Sequence, residues 1–102
     1  MDKKLLIIED DPYIMRALSS ILEIEGYALD CVTTGADALN KARSDPPDLF
    51  LLDLGLPDRD GMSLIQEVRK TDTVPIIVLS ARSNERDKVE ALDLGANDYI
   101  TK

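Results

Sequence analysis

The sequence predicts one α/β domain whose parallel sheet is covered by helices on both faces, and three observations lead there. Short apolar runs of strand length alternate with amphipathic, capped segments in the order strand–helix, four times over, with a fifth strand at the end. Parallel strands need such crossovers, and strands buried on both faces read as continuous apolar runs rather than alternating ones. The length, 102 residues with 44% hydrophobic and 31% charged, allows one small globular unit and no more. Neither a repeat nor a linker-like stretch interrupts it.

Lys4-Leu5-Leu6-Ile7-Ile8 is the first run, too short for a helix and rich in the residues of a doubly buried strand. Asp11-Pro12 then supplies an N-cap followed by proline at the first helical position. Ile14, Leu18, Ile21 and Leu22 fall on one face of the helix that follows, and Gly26 suits its exit. Tyr27 to Val32 reads as the second strand. Thr34 caps a second helix with Ala36, Leu39 and Ala42 on one side, and Pro46-Pro47 ends that region. Asp48 to Asp53 is the third strand. Gly55, Pro57 and Gly61 mark a loop, and Asp60 caps a helix bearing Met62, Ile65 and Val68. Pro75 to Ser80 is a fourth, wholly apolar strand. A helix from about Glu85 to Leu94 carries a thin apolar stripe, mainly Val89 and Leu92, and stops at Gly95. Asp98 to Thr101 closes the series. The helix stripes are expected to be core.

Charge and composition narrow the chemistry. Twelve Lys and Arg face 20 Asp and Glu, a formal charge of −8, which phosphate backbones repel; direct contact with nucleic acid is not expected. No histidine is present, which removes Ser-His-Asp and Cys-His catalysis and imidazole metal ligands. A single cysteine, Cys31, builds neither a disulfide framework nor a zinc site; it is expected as a small buried hydrophobe in a cytoplasmic protein. No apolar run approaches the ~18 residues that cross a bilayer, and no signal peptide precedes Lys3 and Lys4, so no membrane association is expected. What remains is carboxylate chemistry with a hard cation.

The polar residues gather at strand ends. Glu9 and Asp10 end the first strand, Asp53 the third, Ser80 the fourth and Lys102 the fifth. In an open parallel sheet these ends lie along one edge, where ligands bind at the reversal of strand order. Like charges about 4 Å apart cost several kcal/mol at intermediate dielectric, so three carboxylates with one ammonium call for a divalent cation, and Mg²⁺ prefers one or two carboxylates with water or phosphate oxygen. Such a site suits phosphoryl transfer to a carboxylate, with Asp53 as the nucleophile because it lies between the acidic pair and the lysine.

Glu9-Asp10-Asp11, the run Leu51-Leu52-Asp53-Leu54-Gly55-Leu56-Pro57 with Asp60-Gly61, Ser80-Ala81-Arg82, and Gly95-Ala96-Asn97-Asp98-Tyr99-Ile100-Thr101-Lys102 together resemble the receiver domain of bacterial two-component response regulators. The resemblance covers the whole chain in order. It implies the flavodoxin-like (CheY-like) fold, a five-stranded parallel sheet in the order 2-1-3-4-5. It implies that Asp53 accepts a phosphoryl group from a phosphohistidine on a sensor histidine kinase, by self-transfer rather than as a turnover enzyme. Glu9, Asp10, Asp53 and the backbone carbonyl of Gly55 become the Mg²⁺ ligands, Ser80 and Tyr99 the switch pair, and Lys102 the phosphate counter-ion. The Asp98-Tyr99 context resembles the OmpR/PhoB-type subclass, whose members act on DNA through a C-terminal domain not present here. The phrases at 54–58 and 87–93 resemble regulators of the Kdp potassium-uptake operon.

On the same resemblance, Lys88, Asp93 and Asp98 form intersubunit ion pairs when the face of the fourth helix and fifth strand makes an activated homodimer. Residues 1–102 then form a receiver lacking its usual final helix, which is expected to leave an apolar strip of sheet open. Asn97 stands where many relatives carry a carboxylate, and is expected to alter one edge of the partner surface. Asp58-Arg59-Asp60-Gly61 looks like the core of an aspartate-nucleophile phosphatase or half of a calcium loop. The first needs an apolar strand directly before it, where Leu56-Pro57 stands, and the second lacks its later glutamate.

Overall fold

Strands and helices alternate without exception in the computed structural model, which describes residues 3–102. The strands are β1 (Lys4–Ile8), β2 (Ala28–Val32), β3 (Leu49–Leu52), β4 (Ile76–Ser80) and β5 (Asp98–Thr101). The helices are α1 (Pro12–Ile24), α2 (Gly35–Ser44), α3 (Gly61–Arg69) and α4 (Glu85–Leu94). Each helix starts where a side chain accepts its first free N–H groups. Asp11 accepts from Tyr13 and Ile14, Thr34 from Asp37, Asp60 from Met62 and Asn84 from Asp87. The elements match the sequence expectation in kind and order. β2, β3 and β4 each begin one residue later than expected, and β3 also ends one earlier.

The sheet order is β2-β1-β3-β4-β5, with every pairing parallel. Register aligns the carboxyl ends: Ile8 lies between Val32 and Leu52, Leu52 beside Val78, and Ser80 beside Thr101. The order reverses between β1 and β3, so the crevice beyond these ends lies at the switch point of an open α/β sheet.

Strand alternation divides the apolar residues between two faces. Leu6, Ile8, Phe50, Leu52, Ile76 and Val78 join one core cluster with Ala38 of α2, Met62, Leu64, Ile65 and Val68 of α3, and Ala91 of α4. Fully burying a Leu or Ile side chain contributes roughly 1.5–3 kcal/mol, so this face carries most of the stability. On the opposite face Leu5 and Ile7 are buried, while Leu51, Ile77 and Leu79 are half-buried and Ile100 is exposed.

Four expectations about burial need correction. Ala36, expected on the core stripe of α2, is exposed at the head of that helix, while Leu39 and Ala42 are half-buried. α1 buries no residue fully: Ile14, Leu18 and Leu22 are half-buried, and Ile21 is 60% exposed. On α4 the expected stripe faces outward, with Val89 50% exposed and Leu92 exposed, while Ala91 is wholly buried. Ala91 and the half-buried Leu94, three positions on, form the inward face of that helix instead. Cys31 is exposed rather than buried, its Sγ 3.6 Å from the Ser19 hydroxyl, because β2 is an edge strand that α1 covers only in part.

Candidate functional site

Each strand-end residue is held by one further rung of the backbone ladder. Asp53 donates its N–H to the Ile8 carbonyl (2.9 Å), Glu9 to Val32 (3.1 Å) and Lys102 to Ser80 (2.8 Å). Their side chains therefore leave the sheet edge from fixed points. Gly61 sets the first turn of α3 against the same edge. A Cβ there would stand 2.6 Å from the Leu54 Cα and 2.9 Å from the Asp53 carbonyl oxygen, and neither is able to yield.

The side chains converge. One carboxylate oxygen from each of Glu9, Asp10 and Asp53 lies within 4.8 Å of the others. Glu9 is 3% and Asp53 9% exposed, whereas Asp10 is open to solvent. Lys102 Nζ donates to Glu9 Oε1 at 2.6 Å and lies 3.5 Å from Asp53 Oδ2. Burial first, and then contact and like charge with Asp53, hold the Glu9 carboxyl above its ordinary value of 4.5, against the opposing pull of Lys102. Burial alone would lower the Lys102 ammonium, but its hydrogen bond to Glu9 and the charges of Asp53 and Glu9 outweigh that and hold it above 10.5. Three carboxylates against one ammonium leave the crevice short of positive charge.

That deficit and the all-oxygen donor set suit a hard divalent cation. Glu9, Asp10 and Asp53 would each offer such an ion one oxygen, and water would complete its shell. Gly55 adjoins this cluster, its N–H donating to Asp53 Oδ1 at 3.2 Å.

Ser80 is buried behind the crevice, where its hydroxyl accepts the Arg82 N–H at 3.1 Å. Tyr99 is buried too, and its hydroxyl donates to the Arg82 carbonyl at 2.6 Å. The two residues expected to switch thus meet at the backbone of a third, whose guanidinium reaches Asp60 at 3.4 Å. The sequence reading assigned Arg82 no role; backbone groups leave no signature in residue type. Lys88, Asp93 and Asp98 are exposed, and none forms an ion pair among the described residues. Asp98 instead accepts the N–H of Tyr99 at 2.8 Å.

Asn97 is exposed, and its side-chain oxygen carries a tie that the residue type did not announce, accepting from Arg69 Nη2 and from the Ile76 N–H, both at 2.9 Å. Arg69 also donates to the carbonyls of Gly95, Asp72 and Val74, so the pair pins the end of α3 to the starts of β4 and β5. The carboxylates of the 58–61 motif serve helix starts: Asp60 caps α3, and Asp58 accepts from Gly35 and Ala36 at the head of α2.

Residues 5–102 match the family of response regulator receiver domains. The chain belongs to this family. This receiver is 50% identical over 97 residues to the transcriptional regulatory protein KdpE of Mycobacterium tuberculosis, covering 95% of this chain and 43% of that protein. Against KdpE of Staphylococcus aureus it is 48% identical over 102 residues, covering 100% of this chain and 44% of that protein. The chain therefore spans under half the length of these relatives. A two-component response regulator from Clostridium difficile, 31% identical, superposes with a TM-score of 0.96 over 99% of this receiver and 84% of that chain. The Mn²⁺-bound form of response regulator Rcp1, 28% identical, gives 0.92 over 98% of this receiver and 81% of that chain. The sheet order and the likeness to Kdp regulators agree with the sequence reading.

Proposed function

We propose that this receiver is the phosphoacceptor of a Mg²⁺-dependent switch, with Asp53 taking a phosphoryl group from a phosphohistidine of a sensor kinase. The observation that carries this reading is the joint contact of Lys102 with Glu9 and Asp53 beside Asp10. An Asp53 carboxylate oxygen forms the bond to phosphorus as the bond from phosphorus to the donor imidazole nitrogen breaks. The electron pair stays on that nitrogen, which takes a proton from water. Glu9, Asp10, Asp53 and the Gly55 carbonyl hold Mg²⁺, which supplies charge neutralisation at the phosphoryl oxygens. Lys102 sits 3.5 Å from the acceptor carboxylate, so its ammonium balances the charge that arrives.

The switch follows from the free donor of Ser80. Its oxygen accepts the Arg82 N–H, so its O–H remains to donate to a phosphoryl oxygen, and turning toward that oxygen draws on the loop between β4 and α4. Tyr99, bonded to the Arg82 carbonyl, registers that movement at β5. The exposed Lys88, Asp93 and Asp98 then serve register and specificity in a homodimer through the α4-β5 face, since exposed pairs add little affinity. DNA binding belongs to a separate domain of the KdpE-like regulator.

The test is phosphorylation by acetyl phosphate with Mg²⁺. The wild-type chain takes up one phosphoryl group, Asp53→Asn takes up none, and neither turns over small phosphate esters. Full labelling of Asp53→Asn would remove Asp53 as the acceptor.

A further inference from the structure

We propose that Asp58 is a positioning residue: it ties the loop carrying Asp53 and Gly55 to the head of α2, and so sets where the Gly55 carbonyl stands. The inference rests on reading Glu9, Asp10, Asp53 and Gly55 as the Mg²⁺ site.

The loop from Asp53 to Asp60 is closed at its base. Gly61 donates to the Leu54 carbonyl at 2.9 Å, and Gly55 pairs with Asp60 in an antiparallel bridge. Its far end, Pro57 to Arg59, projects from that closure toward α2. There both Asp58 carboxylate oxygens are taken, Oδ1 by the Gly35 N–H at 2.8 Å and Oδ2 by the Ala36 N–H at 3.0 Å. These belong to the four N–H groups that every α-helix leaves unpaired at its start. A third is taken by Thr34, the helix's own cap, at 3.1 Å. The head of α2 is thus capped twice, once locally and once by a carboxylate 23 residues away. The remote cap adds something the local one cannot, which is a fixed distance between helix and loop. Those two N–H groups hold the Asp58 carboxyl below its ordinary value of 3.8, so it is ionised at neutral pH and bonds the positive end of the helix.

A second contact reinforces the tie. The Arg59 stem lies across Gly35, where a Cβ would stand 2.6 and 2.7 Å from its Cδ and Cγ. The Arg59 guanidinium end is occupied as well, with Nε donating to the Ser63 hydroxyl at 2.9 Å. Helix propensity favours alanine over glycine at an ordinary helical position, so the glycine answers to the loop rather than to the helix.

The experiment compares Asp58→Ala, Asp58→Asn, Gly35→Ala and Thr34→Ala with the wild-type chain. Mg²⁺ alone is titrated by calorimetry, and amide exchange at Gly55 and Leu56 is followed in metal-free protein. Outer partners of metal ligands are worth 10- to 100-fold in affinity, and a tie one step farther out is expected at about tenfold. Asp58→Ala should weaken Mg²⁺ binding by that amount and speed exchange at Gly55. Gly35→Ala should do the same while its melting temperature holds or rises, and Asp58→Asn, which keeps one acceptor, should fall between. Thr34→Ala removes a cap of the same helix without touching the loop, and should leave both readouts unchanged. Wild-type affinity and exchange in Asp58→Ala, or an equal loss in Thr34→Ala, overturns the inference. A wild-type chain that binds no Mg²⁺ overturns the metal site instead, and the exchange comparison still decides whether Asp58 holds the loop.

Discussion

Burying Glu9 beside Asp53 is unfavourable, and the Lys102 ammonium offsets only part of that, which is why the Glu9 carboxyl stays above its ordinary value of 4.5. A group with a raised pKa contributes stability that is full below its unfolded value and is lost as pH rises through the folded one. In chelator, the wild-type chain should therefore lose melting temperature on going from pH 4.5 upward through the raised value. Glu9→Gln should flatten that slope, and equal slopes in the two proteins would argue against a strained carboxylate. At this scale the acids and the lysine were legible because each stands at the end of a strand-length segment. Asn97 and Asp58 were not, since their partners lie in other elements, at Arg69 and Gly35.

Helix α4 shows how periodicity fails at the scale of an element. Val89 and Leu92 face outward, whereas Ala91 and Leu94 pack toward the core. The expected stripe rests on the wrong positions: Ala91 and Leu94, three apart, form the inward face, and Ala91 is wholly buried. Ala91→Leu should therefore destabilise the chain by about 1–3 kcal/mol through overpacking, whereas Val89→Ser should stay within about 0.5 kcal/mol. Urea midpoints check both, and a reversed order would restore the stripe as core. The caps were legible, because Asp11, Thr34 and Asp60 act on N–H groups two or three residues on.

For the molecule as a whole, the proposed cation would join carboxylates that follow β1 and β3, elements far apart in sequence. Mg²⁺ that binds only the folded state should stabilise it by roughly 1.4 kcal/mol at ten times its dissociation constant. That corresponds to a rise in melting temperature on the order of 5–10 °C for a domain of this size. Asp53→Asn should abolish most of the rise, and an unchanged response in that variant would place the cation elsewhere.

The sequence by itself determined the alternation of strands and helices, the side chains that cap them and the strand ends at which the acids and the lysine stand. All of these follow from interactions between residues near one another in the chain. The tertiary structure decided that Lys102 grips Glu9 more closely than Asp53, that Ser80 and Tyr99 meet on the backbone of Arg82, and that Asp58 holds the head of α2. Those contacts depend on how helices dock across the sheet, and a hydrogen bond formed within about 3 Å cannot be read from patterns that specify only which way a side chain faces.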